Sequence, residues 1–532
     1  MKLIKEIKLK PGFSENDILR EVEKITKINR KDVLGYEIVK EGIDARHKPN
    51  VFYVLNVAIN VADGELKKLD GFEDIIPDHS GFNVEVCDAK EQRPVVVGFG
   101  PSGMFAGLIL ARAGLKPIIL EQGKCVEERQ KDVDKLWNER VLNVHSNVQY
   151  GEGGAGTFSD GKLNTTLNNE YCKKIINEFI YFGAPKSIYY KNKPHIGTDN
   201  LKIIVKNIRN EIIKLGGNIV FNAFFNNFSI KNRQIQSIFY KNLENGDMKE
   251  IKTNNVVLAL GHSPFETFEM LVKKGVEFRK KPFAMGVRIE HLQETINIGQ
   301  YGDGYDRRLP PADYKLVKHL NNGRSVFTFC MCPGGKVVAS SSESGTIVTN
   351  GMSNYDRAGK FANSALLVNV NPDDFSGDDI LAGFCLQKEI EKRAFILGGS
   401  NYNAPAMTVG QFLDNQPKSL KDTYENMNKY SYIPDLCFCD FTPCFPSFIN
   451  DSLKEAIPLF GKSIKGFDSN DAVLIAPETR SSCPVQAVRA DNYVCTFDGL
   501  YMCGEGAGYA GGIMSSAIDG VKCAFSIIDD VK

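Results

Sequence analysis

The residues with the clearest chemical promise lie in Pro94-Val-Val-Val-Gly-Phe-Gly-Pro-Ser-Gly-Met-Phe-Ala106, where a β-branched run meets a Gly-x-Gly-x-x-Gly turn and a small-residue helix start. Gly98 allows a tight turn, Gly100 lets backbone approach a phosphate, and Gly103 lets helix and strand pack closely. Pro101 and Ser102 open the helix, whose positive end would face a dinucleotide's pyrophosphate. A purely structural strand-turn-helix uses similar glycines, so the neighbours matter. Lys116 to Leu120 reads as a second strand ending in Glu121, 23 residues beyond Gly98, where an acidic side chain accepts hydrogen bonds from a ribose. Gln122 and Gly123 follow it, and Arg129 in the next charged stretch joins the cofactor-binding candidates.

Two further clusters have the same character. Between Gly151 and Gly161 five glycines occur in eleven residues, and Gly153, Gly154, Ala155, Gly156, Thr157 and Ser159 can offer N–H and hydroxyl donors to a phosphate or a flavin edge. Lys162 follows, either beside a flavin or an anionic ligand or simply in solvent. Near the C-terminus, Leu500 to Cys503 reads as a strand, Gly504 to Gly512 as a glycine-rich turn, and Ile513 to Ile527 as an apolar helix. Gly504, Glu505, Gly511, Gly512 and Ile513 there are candidates to bind cofactor, the helix end offering N–H donors and positive potential to negative charge. Gly261 closes another buried strand, Asn255 to Leu260.

His262 after that glycine and His195 in Pro194-His-Ile-Gly-Thr198 can transfer protons near neutral pH, or merely hydrogen-bond in loops. Arg288, with Glu290, Arg480, Ser481 and Ser482, is a candidate for substrate or flavin contacts. Cys330-Met-Cys332 and Cys437-Phe-Cys439, with Cys444 nearby, invite redox or metal readings. Their spacing is not Cys-x-x-Cys, and i, i+2 cysteines on a strand share a face as small core residues, which is the expectation here; no metal site is expected.

The elements that would position these residues fall into four stretches. Residues 1–90 read as a separate ferredoxin-like α+β domain in the order βαββαβ, with a helix from Ser14 to Thr26, a second over Glu65 to Ile76 and a last strand over Phe82 to Cys87. Residues 91–275 form the first part of a Rossmann-like α/β domain, with a helix from Thr198 to Leu215, a strand at Asn218 to Ala223 and an antiparallel meander over Phe228 to Ile251 turning at Glu244-Asn-Gly-Asp247. Residues 276–475 read as an inserted mixed α+β substrate or cap domain, and 476–532 return to the first domain.

The 532 residues carry 65 Lys and Arg against 65 Asp and Glu, so no global basic field draws in nucleic acid or an anionic membrane. Met1-Lys-Leu-Ile-Lys-Glu-Ile-Lys is too interrupted by charge for a secretory signal, and no run of about 18 apolar residues occurs. A cytoplasmic protein with reduced thiols among its thirteen cysteines is expected. Expected partners are a small-molecule substrate and, as an option, a second copy of the chain.

The meander crossover before Gly261 resembles the FAD domain of glutathione-reductase-like flavoproteins. Ser146 to Leu163, Ala259-Leu-Gly-His262, Phe329-Cys-Met-Cys-Pro-Gly-Gly335, Val348-Thr-Asn-Gly-Met352 and Cys503 to Gly512 together resemble the bacterial family of uncharacterised FAD-dependent dehydrogenases, or NAD(P)/FAD-dependent oxidoreductases, over nearly the whole chain. The resemblance implies bound FAD and an oxidoreductase acting on an unidentified small organic molecule. Gln122 departs from the Glu-Arg-Gly that the family often shows. NAD(P)H enters as a transient electron donor, since no second nucleotide turn is present. The alternatives are a flavin monooxygenase, or a flavin-containing RNA-binding or regulatory protein using Arg30, Lys31, Arg46 and Lys48 of the N-terminal domain.

Overall fold

A five-stranded parallel sheet stands at the centre of the computed structural model, which describes residues 1–87, 92–164, 170–375, 377, 379–414 and 430–531. Its order is Leu500–Met502, Val256–Leu258, Val95–Val97, Ile118–Leu120, Asn218–Val220, so strands from both ends of the sequence lie side by side. These short runs are β-branched or apolar because both faces are covered. Helices Pro101–Arg112, Thr198–Lys214 and Ile513–Val531 share one core with the sheet through Phe105, Ile109, Ile204, Ile208, Ala517 and Val521. The meander Ala223–Lys231, Gln234–Asn242, Met248–Lys252 forms a separate antiparallel sheet over the other face, with Phe225, Phe228 and Ile238 buried against Leu120 and Leu258.

The largest sheet belongs to the middle of the chain. It runs Val317–His319, Ser325–Ala339, Phe361–Val370, Phe283–Leu292, Val473–Glu478, Ala404–Thr408, Leu436–Phe438, with Thr349–Met352 paired to the second of these. Helices Ala382–Leu397 and Ser447–Gly461 pack in its core. Phe278–Lys280 pairs with Val485–Ala487 where the chain leaves and re-enters the region of the parallel sheet.

At the N-terminus the antiparallel order is Val33–Asp44, Phe52–Val61, Lys2–Leu9, Glu73–Asp74, with helix Glu15–Thr26 packed through Ile18 and Val22. Ser14 starts that helix through a capping box with Asp17. Two expectations fail here. Residues 65–76 are not an α-helix: a 3-10 stretch, Asp63–Leu69, is followed after a turn at 70–72 by the two-residue strand Glu73–Asp74. Its apolar residues Leu66 and Leu69 are spaced i, i+3, which suits the tighter helix, and Gly71 turns the chain. Phe82–Cys87 is not a strand but a strap across the central core, with Cys87 N–H on Ala113 O and Phe82 N–H on the Glu178 carboxylate. Among the described residues no helix is long and apolar enough to cross a membrane.

Candidate functional site

The Gly98 turn is tight because its surroundings leave no room for a side chain. Gly98 has φ +98°, and a Cβ there would lie 2.4 Å from Ala259 O. A Cβ on Gly103 would lie 1.9 Å from Gly98 O, so Gly103 serves the packing of turn on helix and stays off the cavity wall. Gly100 caps the helix and faces Gly154, leaving two runs of bare backbone opposite one another. Glu121 is almost fully buried and accepts from Phe99 N–H at 2.8 Å and from Gly123 and Gly151 N–H at 2.9 Å. One carboxylate thereby ties together the first turn, its own loop and the second glycine cluster.

Arg129 is placed differently from the expectation. It has no exposure, and its guanidinium donates to the carbonyls of Asn147, Val148 and Glu152 at 2.6–2.8 Å behind the 147–152 loop. Burial lowers its pKa to about 10, against the attraction of Glu121 and Glu152. It holds the loop's shape and does not reach the cavity. Gly123, Gly153 and Thr157 also sit behind the surface; a Cβ on Gly153 would lie 2.0 Å from the Thr157 hydroxyl.

The third cluster is anchored by a residue the sequence reading passed over. Asp519, one and a half turns into the last helix, accepts from Gly504 N–H at 2.7 Å and is clamped by Arg489 at 2.9 Å through both oxygens. Gly504 is thus a hinge of the turn, while Glu505 beside it reaches the cavity and lies 3.3 Å from His262 Nδ1. A Cβ on Gly511 or Gly512 would meet nothing, and both line the cavity with Ile513 at the helix start.

The three clusters meet on one cavity of about 440 Å³. Of the expected cofactor residues, Gly98, Gly100, Pro101, Ser102, Glu121, Gln122, Gly154, Ala155, Gly156, Ser159, Lys162, Gly261, Glu505, Gly511, Gly512 and Ile513 line it, as does His262. The opposite wall comes from the large sheet and its loops, through Tyr314, Thr328, Cys330, Asn350 and Glu478. Several buried nitrogens around it make no hydrogen bond: both ring nitrogens of His262, Nη1 of Arg480 and Nζ of Lys162, the His262 and Lys162 nitrogens having only the charges of Glu505 and Asp160 nearby. Arg480 commits its other two nitrogens to Glu391 at 2.6 and 2.8 Å, which fixes the orientation of the free one. Lys162 stands 3.1 Å from Asp160; burial works against its charge, but Asp160 and the Cys332 and Cys330 sulfurs outweigh it and raise the pKa.

His195 and Arg288 lie off the cavity. His195 stacks on Tyr355 and hydrogen-bonds its carbonyl at 2.9 Å, and burial, aided by Arg357, lowers its pKa to about 4, which suits a neutral structural imidazole. Arg288 is wholly buried beneath the far wall, 3.6 Å from Glu478 and 2.9 Å from Cys330 O. Glu478, unremarked in the sequence, faces the cavity with a carboxyl pushed up to about 7 by burial, against the pull of Arg288. Its only sequence signal was the apolar company of Val473-Leu-Ile-Ala-Pro-Glu478. Cys437 and Cys439 both point at Leu397 O, at 3.4 and 3.6 Å.

The fold is thus a mixed α/β one, with a glycine-lined cavity between a parallel sheet and a second mixed sheet. Residues 282–481 match a family described as FAD-dependent protein, C-terminal domain-like, and residues 1–60 match a domain of unknown function, DUF8436. An uncharacterized protein of Clostridium beijerinckii is 42% identical over 541 residues, covering 99% of this chain and 98% of that one. The chain belongs to the same family, one of FAD-dependent proteins. Among solved structures, the glycerol-3-phosphate dehydrogenase from Bacillus halodurans complexed with FAD matches at 11% identity and TM-score 0.35, over 83% of this chain and 64% of that one. A geranylgeranyl bacteriochlorophyll reductase-like protein from Thermoplasma acidophilum matches at 11% identity and TM-score 0.36, over 84% and 80%.

Proposed function

We propose that the protein is an FAD-dependent oxidoreductase that holds its cofactor along this cavity and exchanges a hydride with a small organic substrate. The observation that carries the reading is the convergence of Gly98–Ser102, Gly154–Gly156 and Gly511–Ile513, more than 400 positions apart at the extremes, on a single cavity. Bare backbone and two helix N-termini suit a pyrophosphate and a flavin edge. Glu121 suits a ribose, and the unpartnered nitrogens of His262, Arg480 and Lys162 suit an acceptor-rich ligand. When bound, FAD supplies two-electron chemistry at its N5.

The chain's own residues supply the rest. The parallel-sheet region, residues 91–275 and 476–532, would bind the cofactor, with 276–475 as the inserted substrate domain and 1–90 in front. Tyr314, Thr328 and Asn350 would orient the substrate on the far wall, and Glu478 would hold or release a proton near neutral pH. NAD(P)H would dock transiently as electron donor.

Purification and absorbance test the first step. The expected result is a flavin spectrum, and stabilisation of about 2.7 kcal/mol by free FAD at a hundredfold excess over Kd, read as a rise in Tm. A folded protein with no flavin spectrum and no response to FAD overturns the reading. In stopped-flow reoxidation, a transient oxygen adduct of the cofactor would assign a monooxygenase instead.

A further inference from the structure

We propose that Cys330 and Cys332 form a dithiol–disulfide redox couple opening on the cavity, with Cys330 the attacking sulfur and Cys332 the resolving one. Electron exchange with FAD rests on the function proposed above; the couple itself does not.

The strand that carries them is built irregularly at this point. Phe329 pairs with Ala365 and Cys332 with Asn363, so three steps along one strand span two along its neighbour, and Cys330 takes φ +44°, a left-handed conformation that a β-strand cysteine has no local reason to adopt. In a flat strand two cysteines at i and i+2 would stand side by side on one face as core residues. The bulge breaks that equivalence. Cys330 reaches the cavity wall, while Cys332 is fully buried behind it with its thiol 3.3 Å from Cys330 O.

The surroundings favour a thiolate at the cavity-facing position. Arg288 donates Nη2 to Cys330 O, and its Nε and Nη1, buried without exposure, make no hydrogen bond; Lys162 Nζ makes none either and is held only as an ion pair by Asp160. The opposing charges are Asp160, committed to Arg357 and Lys162, and Glu478, 3.6 Å from Arg288, with the Tyr314 hydroxyl held by Ser364. The neighbouring Cys332 side chain, then Lys162 and Arg288, hold the Cys330 thiol below its ordinary value against burial and Asp160, whereas Cys330 and burial raise Cys332 well above its own. A cavity-facing thiolate beside a protonated neighbour is the division of labour that disulfide exchange requires.

The step balances within the cavity. Formation of the Sγ–Sγ bond from the Cys330 thiolate and the Cys332 thiol releases two electrons and one proton, which bound FAD would accept, and the reduced cofactor would in reverse return the disulfide to the dithiol; a disulfide substrate oxidises the same dithiol when Cys330 attacks one of its sulfurs, the other half leaves as a thiolate, and Cys332 displaces the remaining half and closes the Cys330–Cys332 bond.

Trypsin frees the pair in one peptide, Ser325–Lys336, which contains no other cysteine. The full-length protein, equilibrated in glutathione buffers of graded potential and quenched with N-ethylmaleimide, should give this peptide two hydrogens lighter and unlabelled under oxidising conditions, and doubly labelled under reducing ones. Cys332→Ser should instead accumulate a glutathione adduct on Cys330. Double labelling at every potential, or a glutathione adduct in the wild type with no internal disulfide, overturns the couple. Anaerobic reductive titration tests the link to flavin: the wild type should take up two more electrons per flavin than Cys330→Ser, and equal uptake overturns that link. A protein without flavin would refute the proposed function while leaving the peptide result to judge the couple.

Discussion

At the scale of single residues, place relative to the cavity wall and not residue type separates the groups that face the cavity from those that support it. Arg129 and Glu121 were both read as cofactor contacts, yet only Glu121 lines the cavity, and it also gathers three backbone N–H groups. Glu478 makes the sharpest prediction at this scale. Its carboxyl, raised to about 7 by burial, is neutral below that pH and charged above it. In the flavin-loaded protein the visible spectrum should therefore shift with an apparent pKa near 7, because a charge appears in the wall around the ring. Glu478→Gln, neutral throughout, should abolish that shift while retaining cofactor; the same pH response in the variant would assign it to another group.

Elements explain why some of this was legible in the sequence and some was not. Val95–Val97, the turn at Gly98 and the helix from Pro101 combine strand composition, glycine spacing and a proline start, three local signals that agree. The meander and the final helix were legible for the same reason. The wall supplied by Ser325–Ala339 and Val473–Glu478 was not, since which face of a strand turns to a cavity depends on its register in a sheet whose partners lie far away in sequence. Asp519 escaped for a similar reason: a helix acid looks solvated until Gly504 and Arg489 are folded against it. The 147–152 loop shows how an element depends on one buried cation. Arg129→Met would keep the packing volume but strip three buried carbonyls of their donor, at a cost of about 3 kcal/mol. The expected readouts are a lower urea midpoint and faster proteolysis within 146–163. An unchanged midpoint would show that the glycine loop holds itself.

At the scale of the whole molecule, the middle sheet buries ionisable groups in their neutral forms, which links its stability to pH. Glu290 is the cleanest case. It is almost fully buried on Phe283–Leu292, accepts from Ser431 N–H at 2.8 Å and bonds the Ser431 hydroxyl, and burial raises its pKa to about 7 despite those bonds and Arg288. A carboxyl whose folded pKa is raised contributes stability that is complete below its unfolded value, near 4.5, and is lost as pH rises through about 7. His291 beside it and His195 act in the opposite sense: burial lowers both to about 4, so their neutral forms stabilise the fold above the ordinary histidine range and that contribution falls as pH drops. Comparing the wild type with Glu290→Gln cancels the histidine terms, because both proteins carry them. The amide keeps an acceptor for Ser431 N–H and cannot ionise. Urea unfolding should then show the wild type losing roughly 1.4 kcal/mol per pH unit relative to the variant between about pH 4.5 and 7, and no further loss above that. A difference that stays flat through this window would mean that Glu290 is charged within the sheet, with Arg288 as its counterion.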